Sequence, residues 1–288
     1  MTRSLLPILL VLPLLLVMVG LVLYPAGMTV WDSLHRLDLT NPGSAPFVGL
    51  ENYGRLLRDS NVRAATANTL AYLAMALGAE VVLGLGIALV LNRRFWGRGA
   101  MLAIVILPWA LPPVANGVIW KWIYNPQYGV LNGLLEQMVL IQDYQVWLGK
   151  PVWALLLVTL VHVWKMMPLA AVIFLAALQT IPHSLYEAAG IDGAGPVRSF
   201  FHVTLPLLRP SLAVVLTQGT IGALNLFDEV WVLTGTALST RPILLQNYLI
   251  AFRDLNLGYG MALSLGITLV TLLISGIYVL FVYREVEL

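Results

Sequence analysis

The sequence EAAGIDGAGPVRSFFHVTLPLLRP fills residues 187–210 and is the one place where a very apolar chain becomes an organised, water-facing segment. Pro182 suits the first turn of a helix that leads into it, and Pro196 can start a second helix. Gly193 and its neighbours allow a sharp reversal between the two. The second helix carries an apolar face at helical spacing, formed by Val197, Phe200, Phe201 and Thr204. Such a face needs a partner, so the segment predicts a docking surface.

The composition predicts a membrane protein. Hydrophobic residues make up 59% of the chain, the mean hydropathy is +0.86, and charged residues make up 10%, against about 25% in soluble domains. There is no cysteine, which excludes disulfides, iron–sulfur clusters and thiol nucleophiles. The net charge of +2 comes from scattered residues rather than a basic block, so nucleic acid is not expected as a partner.

Six apolar runs are each near the roughly 20 residues that a helix needs to cross the hydrocarbon core of a bilayer. They cover residues 5–30, 67–91, 100–123, 152–178, 210–233 and 259–283. No long soluble domain fits between them, so a single membrane domain of residues 1–288 is expected. The first run is longer than the apolar core of a signal peptide and is expected to be retained. The predicted fold class is an all-α polytopic membrane protein with six transmembrane helices.

Arginines indicate which side of the membrane each end of the chain faces. Under six spans, the arginines on one side are Arg3, Arg93, Arg94, Arg98, Arg198, Arg209 and Arg284. The longer connections on the other side also carry arginines, but acidic residues balance them. Because short cytoplasmic loops have an excess of Lys and Arg, both termini and residues 180–209 are predicted to be cytoplasmic.

At residues 187–210 the chain resembles the integral membrane subunits of binding-protein-dependent ABC importers, which carry a Glu-Ala-Ala loop with a later glycine, leucine and proline. The matching residues here are Glu187, Ala188, Ala189, Gly193, Val203, Leu205 and Pro206. The resemblance implies that the loop, residues 180–209, inserts into a groove on a separate ATPase subunit. The predicted coupling residues are Glu187, Ala188, Ala189, Asp192, Gly193, Ala194, Phe200, Leu205 and Pro206. An amphipathic loop lying on the membrane surface is the alternative.

The same resemblance predicts where ATP is used. The chain has no phosphate-binding loop, since Gly149-Lys150 is followed by proline and lacks the upstream glycine. The resemblance implies that ATP and Mg²⁺ are bound by a partner ATPase and that this chain is a transport subunit, not an enzyme. It also implies a complex of two permease subunits, two ATP-binding subunits and an external solute-binding protein in the inner cell membrane, surrounded by the lipid bilayer.

Two further segments resemble sugar-importing members of that family. FVGLENY, residues 47–53, is similar to a segment before their second span, and Leu233-Thr234-Gly235 is similar to a turn after their fifth. The chain departs from that turn at residues 236–238, where a Gly-Gly-Pro is missing. The resemblance implies a neutral sugar as cargo, a disaccharide or oligosaccharide of the maltose or trehalose kind. Residues 47–53 are also compatible with a helix on the outer leaflet.

Polar side chains inside the apolar runs are the candidates for a substrate path, because they are costly in a membrane and usually face a cavity or another helix. In the fourth run, one helical face carries His162, Lys165 and Met166. In the fifth, another face carries Gln218, Gly222, Asn225 and Glu229, with Asp228 adjacent. Amides and carboxylates suit sugar hydroxyls, and a glycine allows close approach. Hydrogen bonding between packed helices is the alternative role.

Several assignments stay open at this stage. Glu80, alone in the second run, is compatible with packing, with a pairing to Lys165 or with the cavity. Pro108, Pro112 and Pro113 are expected to bend the third run. Other functions compatible with the chain are an ABC permease for a polyol phosphate, an amino acid or a peptide, a proton-coupled secondary transporter, and, with little support from motifs, an intramembrane enzyme.

Overall fold

The structure is a computed structural model that describes residues 6–41 and 43–283. Its α-helices are α1 (Leu6–Met18), α2 (Tyr24–Ser33), α3 (Glu51–Arg58), α4 (Ser60–Leu91), α5 (Arg98–Ile106), α6 (Pro113–Ile123), α7 (Val130–Gln137), α8 (Pro151–Thr180), α9 (His183–Ile191), α10 (Pro196–Ser199), α11 (Leu205–Leu207), α12 (Arg209–Leu224), α13 (Asp228–Thr234), α14 (Ile243–Tyr248) and α15 (Leu257–Ile277). Arg3 and Arg284, which entered the prediction of topology, lie outside the described residues. The helical fold class is confirmed.

Four helices are long and apolar enough to cross a membrane, at Leu10–Ser33, Ser60–Leu91, Pro151–Thr180 and Leu257–Val282. Two bent pairs also pass the same test, Arg98–Ala110 with Pro113–Ile123, and Pro196–Leu207 with Arg209–Leu224. The described residues therefore hold four spans, or six when each bent pair is counted as one. Six is the number that the apolar runs predict.

The bend in the third run has the proline origin that the sequence predicts. Its two halves meet at 100°. Pro108 lies in a 3₁₀ turn, and Leu111 and Pro112 are extended, with ψ of 136° and 141°. Pro113 then occupies the first turn of α6, where a missing N–H costs no helical hydrogen bond.

The fifth run differs from the expected continuous helix over residues 210–233. Helix α12 ends at Leu224, and α13 begins only at Asp228. The Asn225 side chain donates to the Ile221 carbonyl at 2.8 Å, so it competes with the backbone at the position where the helix ends. The single face expected for Gln218, Gly222, Asn225 and Glu229 is wrong, because Glu229 belongs to a separate helix.

The chain forms two compact units. The first contains Met1–Arg63 and Gln246–Leu269. Within it, Asn52 anchors the start of α3 by donating to the carbonyls of Ser33 and His35. The Tyr259 hydroxyl donates to Asp59 at 2.9 Å, and the Arg55 guanidinium lies 4.5 Å from the centre of the Tyr259 ring. The FVGLENY segment therefore leads into a short helix that is fixed by specific polar contacts.

The second unit, Ala64–Leu245 with Val270–Leu288, holds two apolar clusters. The first is built on Tyr72, Tyr124, Val158, Val161, Leu226, Val230, Leu233 and Leu245. The second is built on Ala88, Leu91, Ala170, Phe174, Leu175, Leu178, Leu208 and Val215. Gly84 lets α4 and α8 approach closely, since a Cβ at this position would lie 2.8 Å from Ala170 Cβ and 3.2 Å from the Ala171 nitrogen.

Candidate functional site: a docking loop and a polar path

The loop of residues 180–209 reverses direction at the glycine that the sequence predicts. Helix α9 ends with two hydrogen bonds that together form a Schellman motif, from Ala194 N–H to the Ala189 carbonyl at 2.8 Å and from Gly193 N–H to the Gly190 carbonyl at 3.1 Å. Gly193 has a φ of +76°, a conformation that residues with a side chain rarely adopt. A Cβ at Gly193 would meet nothing within 4 Å, so the requirement for glycine comes from the backbone and not from space.

The return half of the loop is less regular than the helix that the sequence predicts. Helix α10 passes into a π-helical turn at Phe200–Thr204 before α11. Thr204 is buried and its hydroxyl lies 3.0 Å from the Tyr186 hydroxyl on α9, which ties the two halves together. Phe200 is half-buried and packs edge-on against Phe201. The expected face is therefore divided, with Thr204 turned inward and Phe201 outward.

The outer surface of the loop is apolar and uncovered. Ile191 is 88% exposed, Val197 is 72% exposed and Phe201 is 57% exposed. Glu187 is also exposed, and its carboxylate lies 3.1 Å from the His183 ring. Of the other predicted coupling residues, Ala188 and Asp192 are exposed, and Ala189, Ala194, Leu205 and Pro206 are half-buried. Large apolar side chains grouped on a surface indicate a site that a partner covers.

The polar side chains that the sequence predicts for a substrate path are here called the polar path. The structure brings only some of them together. Gly222 on α12 faces α8, since a Cβ at Gly222 would lie 3.5 Å from His162 Nε2 and 3.6 Å from Met166 Cε. Gln218 lies one helical turn before Gly222 and lines a narrow pocket with Glu80 and Met166. These residues come from α4, α8 and α12 and meet within the membrane-spanning part of the second unit.

Glu80 lies next to His162, a proximity that the sequence did not single out. Glu80 Oε1 lies 3.7 Å from His162 Nε2, and both side chains are buried. Gly219 lies close to Glu80, because a Cβ at position 219 would be only 2.7 Å from Glu80 Oε2. Neither Glu80 Oε1 nor either ring nitrogen of His162 has a hydrogen-bond partner among the described residues. Buried polar atoms without partners are costly, so this is a site where a ligand group, a water or a shift of α12 would be stabilising.

The remaining candidates do not join this group. Asn225 is exposed, and its amide is bonded to the Ile221 carbonyl of its own helix. Glu229 is buried on α13, where its carboxylate interacts with the Asn116 side chain and with the charge of Lys165. Asp228 is half-buried beside it. Asn116, fully buried on α6, was missed by the sequence analysis because a lone amide in a proline-broken run carries no pattern.

The turn after α13 is ordered although its Gly-Gly-Pro is missing. Gly235 has a φ of +63°. Side chains of α4 hold the turn: Asn68 donates to the Leu238 carbonyl at 2.8 Å, and the Tyr72 hydroxyl donates to the Thr240 carbonyl at 2.8 Å. An open pocket of about 420 Å³ lies beside this turn, lined by residues that include Lys121, Trp231, Thr234 and Ser239.

These features define a polytopic helical membrane protein with an exposed apolar loop between two of its membrane-spanning segments. Residues 80–285 match the family described as binding-protein-dependent transport system inner membrane component, and the chain belongs to this family. The family confirms a transport component of an inner membrane rather than an enzyme. It also decides against the proton-coupled transporter as an alternative.

Individual relatives cover nearly the whole chain. The trehalose/maltose transport system permease protein MalF of Thermococcus litoralis is 40% identical over 268 residues, covering 93% of this chain and 89% of the relative. The sulfoquinovosyl glycerol transport system permease protein SmoG of Agrobacterium fabrum is 36% identical over 278 residues, covering 95% and 89%. In structure, a bacterial ABC transporter for the acidic polysaccharide alginate matches with a TM-score of 0.83 at 22% identity, covering 99% of this chain and 97% of that chain. The ABC importer permease fold is thereby confirmed.

Proposed function

We propose that this chain forms half of the translocation path for a neutral disaccharide or oligosaccharide in an ATP-driven importer. The observation that carries the choice of cargo is the 40% identity, over almost the full length, to a relative named for trehalose and maltose. The polar path supports it, since Gln218 both donates and accepts hydrogen bonds and Gly222 leaves room beside His162 and Met166. Uncharged donors and acceptors in an apolar setting suit a ligand rich in hydroxyls.

In this proposal the docking loop, residues 180–209, contacts a separate ATPase subunit, and that subunit binds ATP and Mg²⁺. Support comes from the uncovered apolar surface formed by Ile191, Val197 and Phe201, which lies beside the Glu-Ala-Ala segment. Leu208 alone separates α11, the last helix of the loop, from α12, the helix that carries Gln218 and Gly222. A movement imposed on the loop would therefore reach the polar path through one helix.

The proposal places this chain in a complex with a second permease subunit, two ATP-binding subunits and an external solute-binding protein. It takes the whole chain as one transmembrane domain, with both termini and the docking loop in the cytoplasm. The dependence on a binding protein is part of the family description. The orientation is supported by Arg93, Arg94 and Arg98, which are concentrated in the short connection between α4 and α5.

A cargo with an acidic group is the second candidate. It is favoured by the relative named for sulfoquinovosyl glycerol and by Lys165, a cation near the path that interacts with Glu229. The predicted polyol phosphate belongs to this class. Against it stands the buried Glu80 carboxyl group, which lines the same pocket as Gln218.

The test is to purify the complex with its binding protein and to measure ATP hydrolysis with a panel of solutes. We expect trehalose, maltose or a related neutral sugar to stimulate hydrolysis, while glycerol phosphate, amino acids and peptides leave the basal rate unchanged. Stimulation by glycerol phosphate alone would replace the neutral sugar by the acidic cargo. Stimulation by an amino acid or a peptide alone would contradict both.

A further inference from the structure

The connection between α4 and α5 carries a cationic and aromatic surface that the transport function leaves unused. Residues 92–97 separate Leu91, the last residue of α4, from Arg98, the first of α5. Trp96 is 100% exposed and Phe95 is 40% exposed. We call residues 92–98 the Trp96 turn.

The backbone fixes Trp96 at the tip of this turn. Arg98 N–H donates to the Phe95 carbonyl at 3.4 Å, which closes a four-residue turn. Gly97, with φ +84° and ψ 2°, has the conformation of the third residue of a type II turn. Trp96 is therefore the second residue of the turn, between Arg94 and Arg98 in the chain.

The length of the connection keeps the Trp96 turn at the membrane surface. Both flanking helices belong to candidate membrane spans, Ser60–Leu91 and the bent pair that begins at Arg98. A connection of this length reaches at most about 10 Å beyond the helix ends before it must return. The headgroup layer of one leaflet is roughly 5–8 Å thick. Trp96 and its neighbours therefore lie at headgroup depth, where tryptophan is enriched.

The arginines of the turn have no carboxylate of their own to neutralise them. Arg93 and Arg94 are exposed and Arg98 is half-exposed, and none of the three forms an ion pair within the described residues. A guanidinium binds phosphate oxygens in a bidentate manner, and each basic residue near an anionic membrane surface adds about 1 kcal/mol of attraction. The chemistry that fits the three arginines is a phosphate at the depth of the headgroups.

We propose that the Trp96 turn is a binding site for an anionic phospholipid, with Arg93, Arg94 and Arg98 around the headgroup phosphate and Trp96 beside the glycerol and upper acyl chain. The indole selects a lipid over a free phosphate, because only the lipid offers an apolar surface next to the phosphate. The site is independent of which solute the permease carries.

The first test measures lipid retention by the purified transporter complex. The complex is placed in phosphatidylcholine nanodiscs with increasing phosphatidylglycerol, and the bound lipids are counted by native mass spectrometry. We expect wild type to retain phosphatidylglycerol selectively. The triple variant Arg93→Gln, Arg94→Gln, Arg98→Gln should weaken this preference roughly tenfold or more, and the triple Arg→Lys variant should keep most of it. Wild-type retention by the glutamine variant would overturn the proposal.

Two controls separate this site from general charge effects. Arg58→Gln with Arg63→Gln removes two exposed arginines away from the Trp96 turn, one at the end of α3 and one near the start of α4, and should leave retention at the wild-type value. Glycerol phosphate in excess offers the headgroup chemistry without acyl chains and should displace no phosphatidylglycerol. An equal loss in the control variant, or displacement by glycerol phosphate, would overturn the assignment of a specific lipid site.

The second test identifies the occupant directly. A photoreactive benzoylphenylalanine replaces Trp96 in the assembled transporter, and the cross-linked products are analysed by mass spectrometry after irradiation. An adduct with phosphatidylglycerol, reduced in the Arg→Gln background, is the expected product. A cross-link to the ATPase or to another protein subunit would show that the Trp96 turn is a protein contact and would overturn the proposal.

Discussion

Gly193 is the residue on which the shape of the docking loop depends most. Its φ of +76° allows the two Schellman hydrogen bonds that end α9 and turn the chain toward α10. A residue with a Cβ is disfavoured in this conformation by about 1–2 kcal/mol, and a β-branched residue suffers most. The cost falls on the loop and not on the membrane-spanning helices.

Replacement of Gly193 by valine is therefore expected to leave the complex assembled while ATP hydrolysis no longer drives uptake. The measurement is the number of solute molecules transported per ATP hydrolysed in proteoliposomes. Gly195→Val is the matched control, because Gly195 has an ordinary φ of −71° and open space around its Cβ position. Normal coupling in Gly193→Val would contradict the role assigned to this residue.

Gln218 and Asn225 are two amides in the same run that the structure separates. Gln218 lines the pocket with Glu80 and Met166, whereas the Asn225 amide is exposed and bonded to Ile221. Loss of one hydrogen bond to a substrate costs about 0.5–1.5 kcal/mol, so Gln218→Ala is expected to lower the efficiency of uptake roughly 2- to 10-fold. Asn225→Ala should change it much less. Uptake kinetics that show the larger loss in Asn225→Ala would contradict this assignment of the path.

At the scale of the helices, the close contact of α4 with α8 makes a prediction about stability. A Cβ at Gly84 would approach Ala170 Cβ at 2.8 Å and the Ala171 nitrogen at 3.2 Å. Backbone atoms cannot move aside as a flexible side chain can, so overpacking is expected to cost about 1–3 kcal/mol. Gly84→Ala should therefore lower the unfolding temperature of the complex in detergent.

The matched control for Gly84 lies two residues further along the same helix. Gly86 has nothing within 4 Å of its Cβ position, so Gly86→Ala should leave the unfolding temperature unchanged or raise it slightly through better helix propensity. If both variants unfold at the wild-type temperature, the close approach of α4 and α8 is contradicted.

The apolar runs and their prolines allowed most of the helices to be predicted, because burial in lipid requires long runs of apolar residues. The prolines from Pro108 to Pro113 also indicated the bend in the third run. The break after Leu224 was missed, since Leu226 and Phe227 continue the apolar pattern and only the side-chain bond of Asn225 marks the end of the helix. Hydropathy does not report such local competition for a carbonyl.

Contacts between distant helices were the least predictable feature. The fourth run correctly placed His162 and Met166 on one face, and the structure brings both to Gly222. The proximity of Glu80 to His162 depends on the rotation of α4 against α8, which no pattern within one helix determines. The close approach of Gly219 to Glu80 also depends on how separate helices pack, so the sequence did not predict it either.

At the scale of the whole molecule, the chain is one component of a larger machine. Its family transports solutes with the help of a binding protein, and the chain contains no phosphate-binding loop of its own. The central claim is that the docking loop receives the motion of an ATPase on the cytoplasmic side and passes it through α12 to the polar path. The claim requires both a partner at the loop and a cytoplasmic position for it.

The natural absence of cysteine allows one measurement to test both requirements. A single cysteine is introduced at Ala188, which is exposed on the docking loop, and, in a separate variant, at Ser239, which is exposed on the turn after α13. The two are compared by cross-linking in the assembled transporter and by labelling intact cells with a membrane-impermeant maleimide. We expect Ala188→Cys to cross-link to a nucleotide-hydrolysing subunit and to resist external labelling, while Ser239→Cys is labelled from outside. Labelling of Ala188→Cys from outside, with no cross-link to an ATPase, would contradict the account.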